Sequence, residues 1–142
     1  MAALPEVRLE LAGGGPDEAR LRARAAKLAN VTVHGSISDI PAFLSRADAV
    51  VIPSRWEPWG NVCLEAKAAG RPVIASDVDG LREQVQGCGL LVPPDDPAAL
   101  VAAIRAFDGE RLPRWGAAGR AAGRTAWPDH LHIWRTLFRE LV

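Results

Sequence analysis

The chain has 142 residues, 49% hydrophobic and 24% charged, with 17 basic residues set against 17 acidic ones. That is the composition of an ordinary soluble globular domain with enough length to bury a core, and the balanced charge speaks against a nucleic-acid or anionic-membrane partner. No stretch approaches the roughly 18 apolar residues of a membrane span, and the Met1–Glu6 start has neither the basic residues nor the apolar run of a signal peptide, so the cytoplasm is the expected compartment.

In chain order, the first predicted element is a strand over 7–12, which alternates and then runs into the turn Gly13-Gly14-Gly15-Pro16. Pro16 suits a helix start, and residues 17–29 are rich in Ala, Leu, Arg and Lys, with Asn30 as the stop. The glycines lack the G-x-G-x-x-G spacing of a dinucleotide loop. Val31–His34 is a β-rich run stopped by Gly35, and Pro41 begins a short helix over 42–46. His34 has no second histidine near it in sequence and reads as a structural or edge residue. Residues 47–53 form an apolar run without alternation, which fits a strand covered on both faces.

A loop and a helix over 60–69 follow, with Gly70 as C-cap and Pro72 preventing continuation before a strand over 71–75. Residues 76–83 read as a loop with room for one helical turn, and 87–94 as a turn, a short strand and an exit. Asp96 is a natural N-cap for a helix over 97–107, with Leu100, Val101, Ile104 and Phe107 at core spacing. Residues 110–126 look helical, and Gly116, Gly119 and Gly123 suit close helix packing. Pro128 is expected to open a separate last helix over 129–141. Its apolar residues Leu131, Ile133, Trp134, Leu137, Phe138, Leu141 and Val142, with Trp127 before them, are expected to cover the core; the alternative is that they face a second domain. His130 and His132 point to different faces of such a helix and are not read as a metal pair. Cys63 and Cys88 belong to no C-x-x-C motif and read as small buried hydrophobes. Alternating strands and helices imply an α/β fold, a parallel sheet with helices on both faces and right-handed crossovers. Without repeats or a low-complexity linker, residues 1–142 are expected to form one domain.

The chemistry concentrates between Ser54 and Ser76. Glu57 lies in the loop before the helix and Glu65 on its second turn, flanking a helix start at Gly60-Asn61-Val62. Glycine permits close approach to the backbone, and the first amides and the dipole of a helix favour an anion. The acids accept hydrogen bonds from hydroxyls. A phosphorylated sugar presents both kinds of group.

The run Pro53-Ser54-x-x-Glu57-x-x-Gly60, followed by Leu64-Glu65-Ala66-x-Ala68-x-Gly70-x-Pro72-Val73-Ile74-Ala75, resembles the signature of family-4 retaining glycosyltransferases of the GT-B fold, in their C-terminal, donor-binding domain. The resemblance implies a Rossmann-like domain and metal-independent transfer, without a cofactor, of a sugar from a nucleotide diphosphate donor to an acceptor hydroxyl. It implies that Glu57 contacts the transferring sugar as the catalytic position, that Glu65 holds ribose hydroxyls, and that the amides of Gly60, Asn61 and Val62 meet the diphosphate. By the same resemblance Gly35, Ser36 and Ile37 touch the base, and Gly14 lines the nucleotide side.

Around the signature, Arg55, Trp56 and Trp59 are uncommon choices; the tryptophans suit stacking on a sugar, but burial beneath the loop is expected. Asp79-Gly80 stands where relatives often carry Gly-Gly, and an acid facing the donor there would repel the diphosphate. The resemblance runs over about residues 4–140 yet matches only part of a GT-B enzyme. It implies a missing N-terminal domain, or a split partner chain, that supplies much of the acceptor site. It also implies a missing opening strand and helix that carry the Arg and Lys for the diphosphate. In the order 3-2-1-4-5-6 the opening strand is central, so strand 7–12 must pair with strand 49–52 or a partner must fill the gap. The alternatives to an enzyme part are a non-catalytic remnant or binding module and, ranked lower, a GT-B sugar epimerase. The nucleotide, the sugar and the acceptor are not readable from the residues.

Overall fold

The computed structural model describes residues 1–107 and 109–140, leaving out the side chains of residues 125–127, 129, 130, 134 and 140. The expectations for the side chains of Trp127, His130 and Trp134, and for Leu141 and Val142, lie outside the described residues. In order, the elements are β1 (Leu9–Ala12), α1 (Glu18–Ala25), β2 (Val31–Gly35), α2 (Ile40–Ser45), β3 (Val50–Ile52), α3 (Asn61–Ala68), β4 (Val73–Ser76), α4 (Asp79–Gln84), β5 (Gly89–Val92), α5 (Pro97–Arg105) and α6 (Arg111–Glu140). The fold is α/β with parallel strands. Contacts divide it into two compact units, Met1–Phe43 and Leu44–Val142.

In the first unit β1 and β2 pair in parallel from Leu9 opposite Val31, with an irregularity at Leu11/Ala12 that brings Ala12 opposite Gly35. α1 ends at Ala25, short of the expected stop at Asn30; Asn30 Nδ2 instead donates to the carbonyls of Leu4 and Val7, both at 2.8 Å. That amide ties the N-terminal turns, with buried Leu4, to the start of β2. Arg22 fixes α1 against β2, donating to the Val33 carbonyl at 2.7 Å and pairing with Glu18 at 2.8 Å. His34 is the edge residue expected: it meets Glu10 Oε2 at 3.2 Å and packs edge-on against Phe43.

In the second unit β3, β4 and β5 form a parallel ladder, Val50 opposite Val73 and Val73 opposite Gly89. Both faces are covered, as the unbroken apolar run of β3 predicts. Ile52, Val73 and Ala75 pack with Cys63 and Ala66 of α3 and with Leu81 and Val85, whereas Ile74 and Val92 pack with Ala103 of α5. Full burial of a side chain such as Ile74 or Leu81 contributes about 1.5–3 kcal/mol. Asp96 caps α5 by accepting from the Ala99 amide at 2.9 Å.

The single sheet expected from five alternating strands is instead two, β1-β2 and β3-β4-β5, and strand 7–12 does not pair with strand 49–52. Each ladder is made by a βαβ crossover; the connection through α2 carries the chain from one unit into the next and builds no ladder. The stretch expected to be mostly loop at 76–83 contains α4, with Asp79 in its first turn, where the helix dipole favours an acid.

Pro128 does not open a separate helix. It lies within α6, which runs on through it; proline there has no amide to give the preceding turn. The glycines of α6 do pack closely, as expected: a Cβ on Gly119 would lie 3.2 Å from Cys88 Cβ and 3.3 Å from Lys67 Cγ, and Gly116 abuts the Gly70 carbonyl. Arg120 donates to the Ala69 carbonyl at 2.9 Å. Among the described side chains of the second half of α6, Leu131, Ile133, Leu137 and Phe138 are exposed and do not cover the core. A helix of 30 residues is about 45 Å long, far beyond what strands of four residues can underlie.

Cys63 and Cys88 are free and buried, as small hydrophobes would be. Burial, with Cys88 adding and the Lys67 charge opposing, pushes the Cys63 thiol up to about 11 from 9.0. The unfolded chain therefore releases this proton first. Stability is full below pH 9.0 and falls as pH rises towards about 11, by on the order of 2 kcal/mol from this group. Urea midpoints at intervals across that window are expected to fall in the wild type and to fall less steeply in Cys63→Ala.

Candidate functional site

The site is built at the carboxyl ends of strands. Pro53 and Pro58 keep the segment after β3 out of regular structure, and Glu57 Oε1 accepts from the Gly60 amide at 3.0 Å. Gly60 has a φ of +92°, which glycine alone takes without strain, and a Cβ there would lie 2.7 Å from Leu81 Cδ2. Its carbonyl accepts from the amides of Cys63 at 2.9 Å and Leu64 at 3.3 Å, which begins α3. The amides of Asn61 and Val62 thus head the helix ahead of its first bonds, on exposed residues. Glu65 is exposed one turn further on. Glu57, Gly60, Asn61 and Val62 are therefore brought together at the end of β3, with the dipole of α3 behind them.

The floor of this loop is α4. The Gly80 amide donates to the Glu57 carbonyl at 3.1 Å. A Cβ on Gly80 would lie 2.6 Å from Trp59 Cα and 2.7 Å from the Pro58 carbonyl oxygen, so only glycine fits. The Gln84 side-chain amide donates to the Trp59 carbonyl. The expected burial of the tryptophans does not occur: Trp56 is 73% and Trp59 43% exposed. Gly80, Leu81 and Gln84 already fill the space under the loop.

Two ion pairs stand beside it. Arg55 meets Asp95 at 2.7 Å, linking the loops after β3 and β5, and Arg82 meets Asp77 at 2.6 Å. The hydrogen bond and charge of Asp77 hold the Arg82 guanidinium above its usual range.

The other expected residues lie in the first unit. A Cβ on Gly14 would be 3.1 Å from Ser36 Oγ, and the Gly13 amide donates to the Gly35 carbonyl at 2.8 Å. Gly35 is buried at a φ of +79°, hemmed in by Arg22 and Glu18. Gly14, Gly35 and Ser36 thus gather at the ends of β1 and β2, with half-buried Ile37 following. Among the described residues, no cluster of three or more His, Cys, Asp or Glu could hold a metal ion.

Two residues that support the loop escape a reading of the sequence. Lys67, 6% exposed, donates to the Gln84 carbonyl at 3.2 Å. Within Leu64-Glu65-Ala66-Lys67-Ala68-Ala69 it looks like a solvated helix position, although it stands four residues after Cys63 on the buried face of α3. Gln84 looks like the exposed end of a short helix.

Parallel βαβ units with a ligand-ready loop and helix start at a strand's carboxyl end, and the match to solved structures, place the chain among GT-B glycosyltransferase domains. It belongs to the glycosyl transferases group 1, the family that matches residues 1–107. The glycogen synthase of Mycobacterium tuberculosis (strain CDC 1551 / Oshkosh) is 39% identical over 120 residues, covering 74% of this chain and 29% of that protein. The D-inositol 3-phosphate glycosyltransferase of Geodermatophilus obscurus is 46% identical over 83 residues, covering 57% and 18%. Among solved structures, sucrose-phosphate synthase from Thermosynechococcus elongatus superposes with a TM-score of 0.85 at 33% identity, over 99% of this chain and 40% of that one. Anabaena Alr3699/HepE in complex with UDP-glucose gives 0.83 at 24% identity over 97% and 43%, a likeness of fold alone. The chain thus matches less than half the length of each of these proteins.

Proposed function

We propose that this chain is the donor-binding part of a retaining glycosyltransferase that moves a sugar from a nucleotide diphosphate to an acceptor hydroxyl. The observation that carries the reading is the Glu57–Val62 turn: a carboxylate folded onto the Gly60 amide, two helix-heading amides beside it, and Glu65 exposed one turn along. In the reaction the bond from the sugar's anomeric carbon to the diphosphate oxygen breaks. The acceptor oxygen bonds to that carbon on the same face, its proton is released, and the electron pair leaves with the diphosphate. The Asn61 and Val62 amides meet the charge that develops there. Glu57 contacts the transferring sugar through Oε2, which takes no hydrogen bond among the described residues. Glu65 accepts from the ribose hydroxyls, Gly35, Ser36 and Ile37 touch the base, and Gly14 lines the nucleotide side, as the resemblance implies. The transfer is read as metal-independent on the same ground. A two-substrate transfer needs both reactants held in one geometry, so the reading includes a further domain, in the same polypeptide or a partner chain, for the acceptor. In support of the reading, the Anabaena protein of like fold is in complex with UDP-glucose.

One observation favours a second reading, a binding module without turnover: Arg55 and Arg82, the arginines beside the loop, are both engaged by aspartates. Thermal unfolding with UDP, GDP, ADP and their sugar conjugates tests the donor site that the first reading requires. The donor reading expects a shift selective for one base, worth about 2.7 kcal/mol at a hundred times the dissociation constant. A folded chain that responds to none of them overturns the donor reading.

A further inference from the structure

We propose that Gln84 is a positioning residue for the Glu57 loop and that the buried amine of Lys67 holds it in place. Gln84 is the last residue of α4 and 7% exposed. Its Nε2 donates to the Trp59 carbonyl, and its own main-chain carbonyl accepts from Lys67 Nζ at 3.2 Å and from the Cys88 thiol at 3.5 Å. Lys67 thereby puts a cation at the negative end of α4 and connects α3, α4 and the loop. Trp59 immediately precedes Gly60, whose left-handed turn aims the Asn61 and Val62 amides. At the other end of the loop the Gly80 amide holds the Glu57 carbonyl. The loop is thus tied to α4 twice, by the first turn at Glu57 and by the last residue at Trp59.

The chemistry fixes which way the amide points. Turned over, Gln84 would set Oε1 against the Trp59 carbonyl, two acceptors face to face. In its actual orientation Oε1 is buried without a hydrogen-bond partner. A methionine would fill the same volume without that penalty, so packing does not account for a glutamine here, whereas the bond to Trp59 does. The effect on donor binding rests on the donor-site reading above; the holding of the loop does not.

The test starts from the wild-type chain, by NMR. The side-chain amide protons of Gln84 are expected to exchange about tenfold or more slowly than those of exposed Gln86. Equal rates overturn the proposal, whatever the variants do. In Gln84→Met the Gly60 main-chain amide is expected to exchange about tenfold faster while Ile74 in β4 keeps its protection, and Lys67→Met is expected to follow it. Whichever of UDP, GDP or ADP binds the wild type is expected to bind Gln84→Met about tenfold more weakly. Faster Gly60 exchange in a chain that never binds a nucleotide would support the positioning role and sink the donor reading. Nucleotide binding by the wild type with Gly60 exchange unchanged in Gln84→Met would overturn the positioning role alone.

Discussion

Glu65→Ala is expected to remove most of the nucleotide-dependent stabilisation while leaving the ligand-free chain as stable as before. Glu65 is exposed on α3, and alanine is the better helix former. Ligand-free stability should therefore stay within about 0.5 kcal/mol of wild type. Hydrogen bonds from hydroxyls to a carboxylate contribute about 1.5–3 kcal/mol. At a nucleotide concentration that stabilises the wild type by about 2.7 kcal/mol, their loss leaves between about 1.3 and 0.3 kcal/mol. Glu57→Gln is the companion variant, since its amide oxygen can still accept from the Gly60 amide and keep the turn. It should bind the nucleoside diphosphate as the wild type does and lose only the additional shift given by the sugar conjugate. Thermal unfolding of the three proteins side by side reads both effects. An undiminished shift in Glu65→Ala would take Glu65 out of the site.

The parts of the fold that were legible are those decided by neighbours in sequence. Asp96 and Pro97 announce α5 because a cap needs a side-chain oxygen three residues from an amide, and the structure uses that bond. Gly60 and Gly70 bracket α3 because both take a positive φ. The unbroken apolar run of β3 predicts two covered faces, and Val51 and Ile52 indeed pack into opposite clusters. The order of Glu57, Gly60, Asn61 and Val62 along one turn is local in the same way. What escaped is decided across the chain. Trp56 and Trp59 were expected under the loop because indoles are large and apolar, yet that space belongs to residues more than 20 positions later. Lys67 and Gln84 are polar residues at helix positions that usually face water, and only their mutual burial shows otherwise. Pro128 was expected to start a helix, since proline suits a first turn; a long helix that runs on through it cannot be told from that case by local preference.

Gly80→Ala is expected to destabilise the chain by about 2–4 kcal/mol and to weaken nucleotide binding with it. Two effects oppose each other. Alanine inside α4 gains about 1 kcal/mol of helix propensity over glycine. Against that, its Cβ would stand 2.6 Å from Trp59 Cα and 2.7 Å from Trp59 N and the Pro58 carbonyl oxygen. These are backbone atoms, so no side chain can swing aside. Overpacking of this kind costs about 1–3 kcal/mol. Moving the loop away to relieve it gives up the Gly80–Glu57 and Gln84–Trp59 bonds, at about 1 kcal/mol each. The steric and hydrogen-bond losses together exceed the propensity gain. Gly87→Ala is the contrast: nothing lies within 4 Å of its Cβ, but its φ of +73° strains alanine by about 1–2 kcal/mol. Both variants should therefore lower the urea midpoint with little change in slope. Only Gly80→Ala should also lose nucleotide affinity, because only there does relief of the clash displace the turn that carries Glu57 and the Asn61 and Val62 amides. Equal nucleotide affinity in the two variants would mean that α4 does not set the position of that turn.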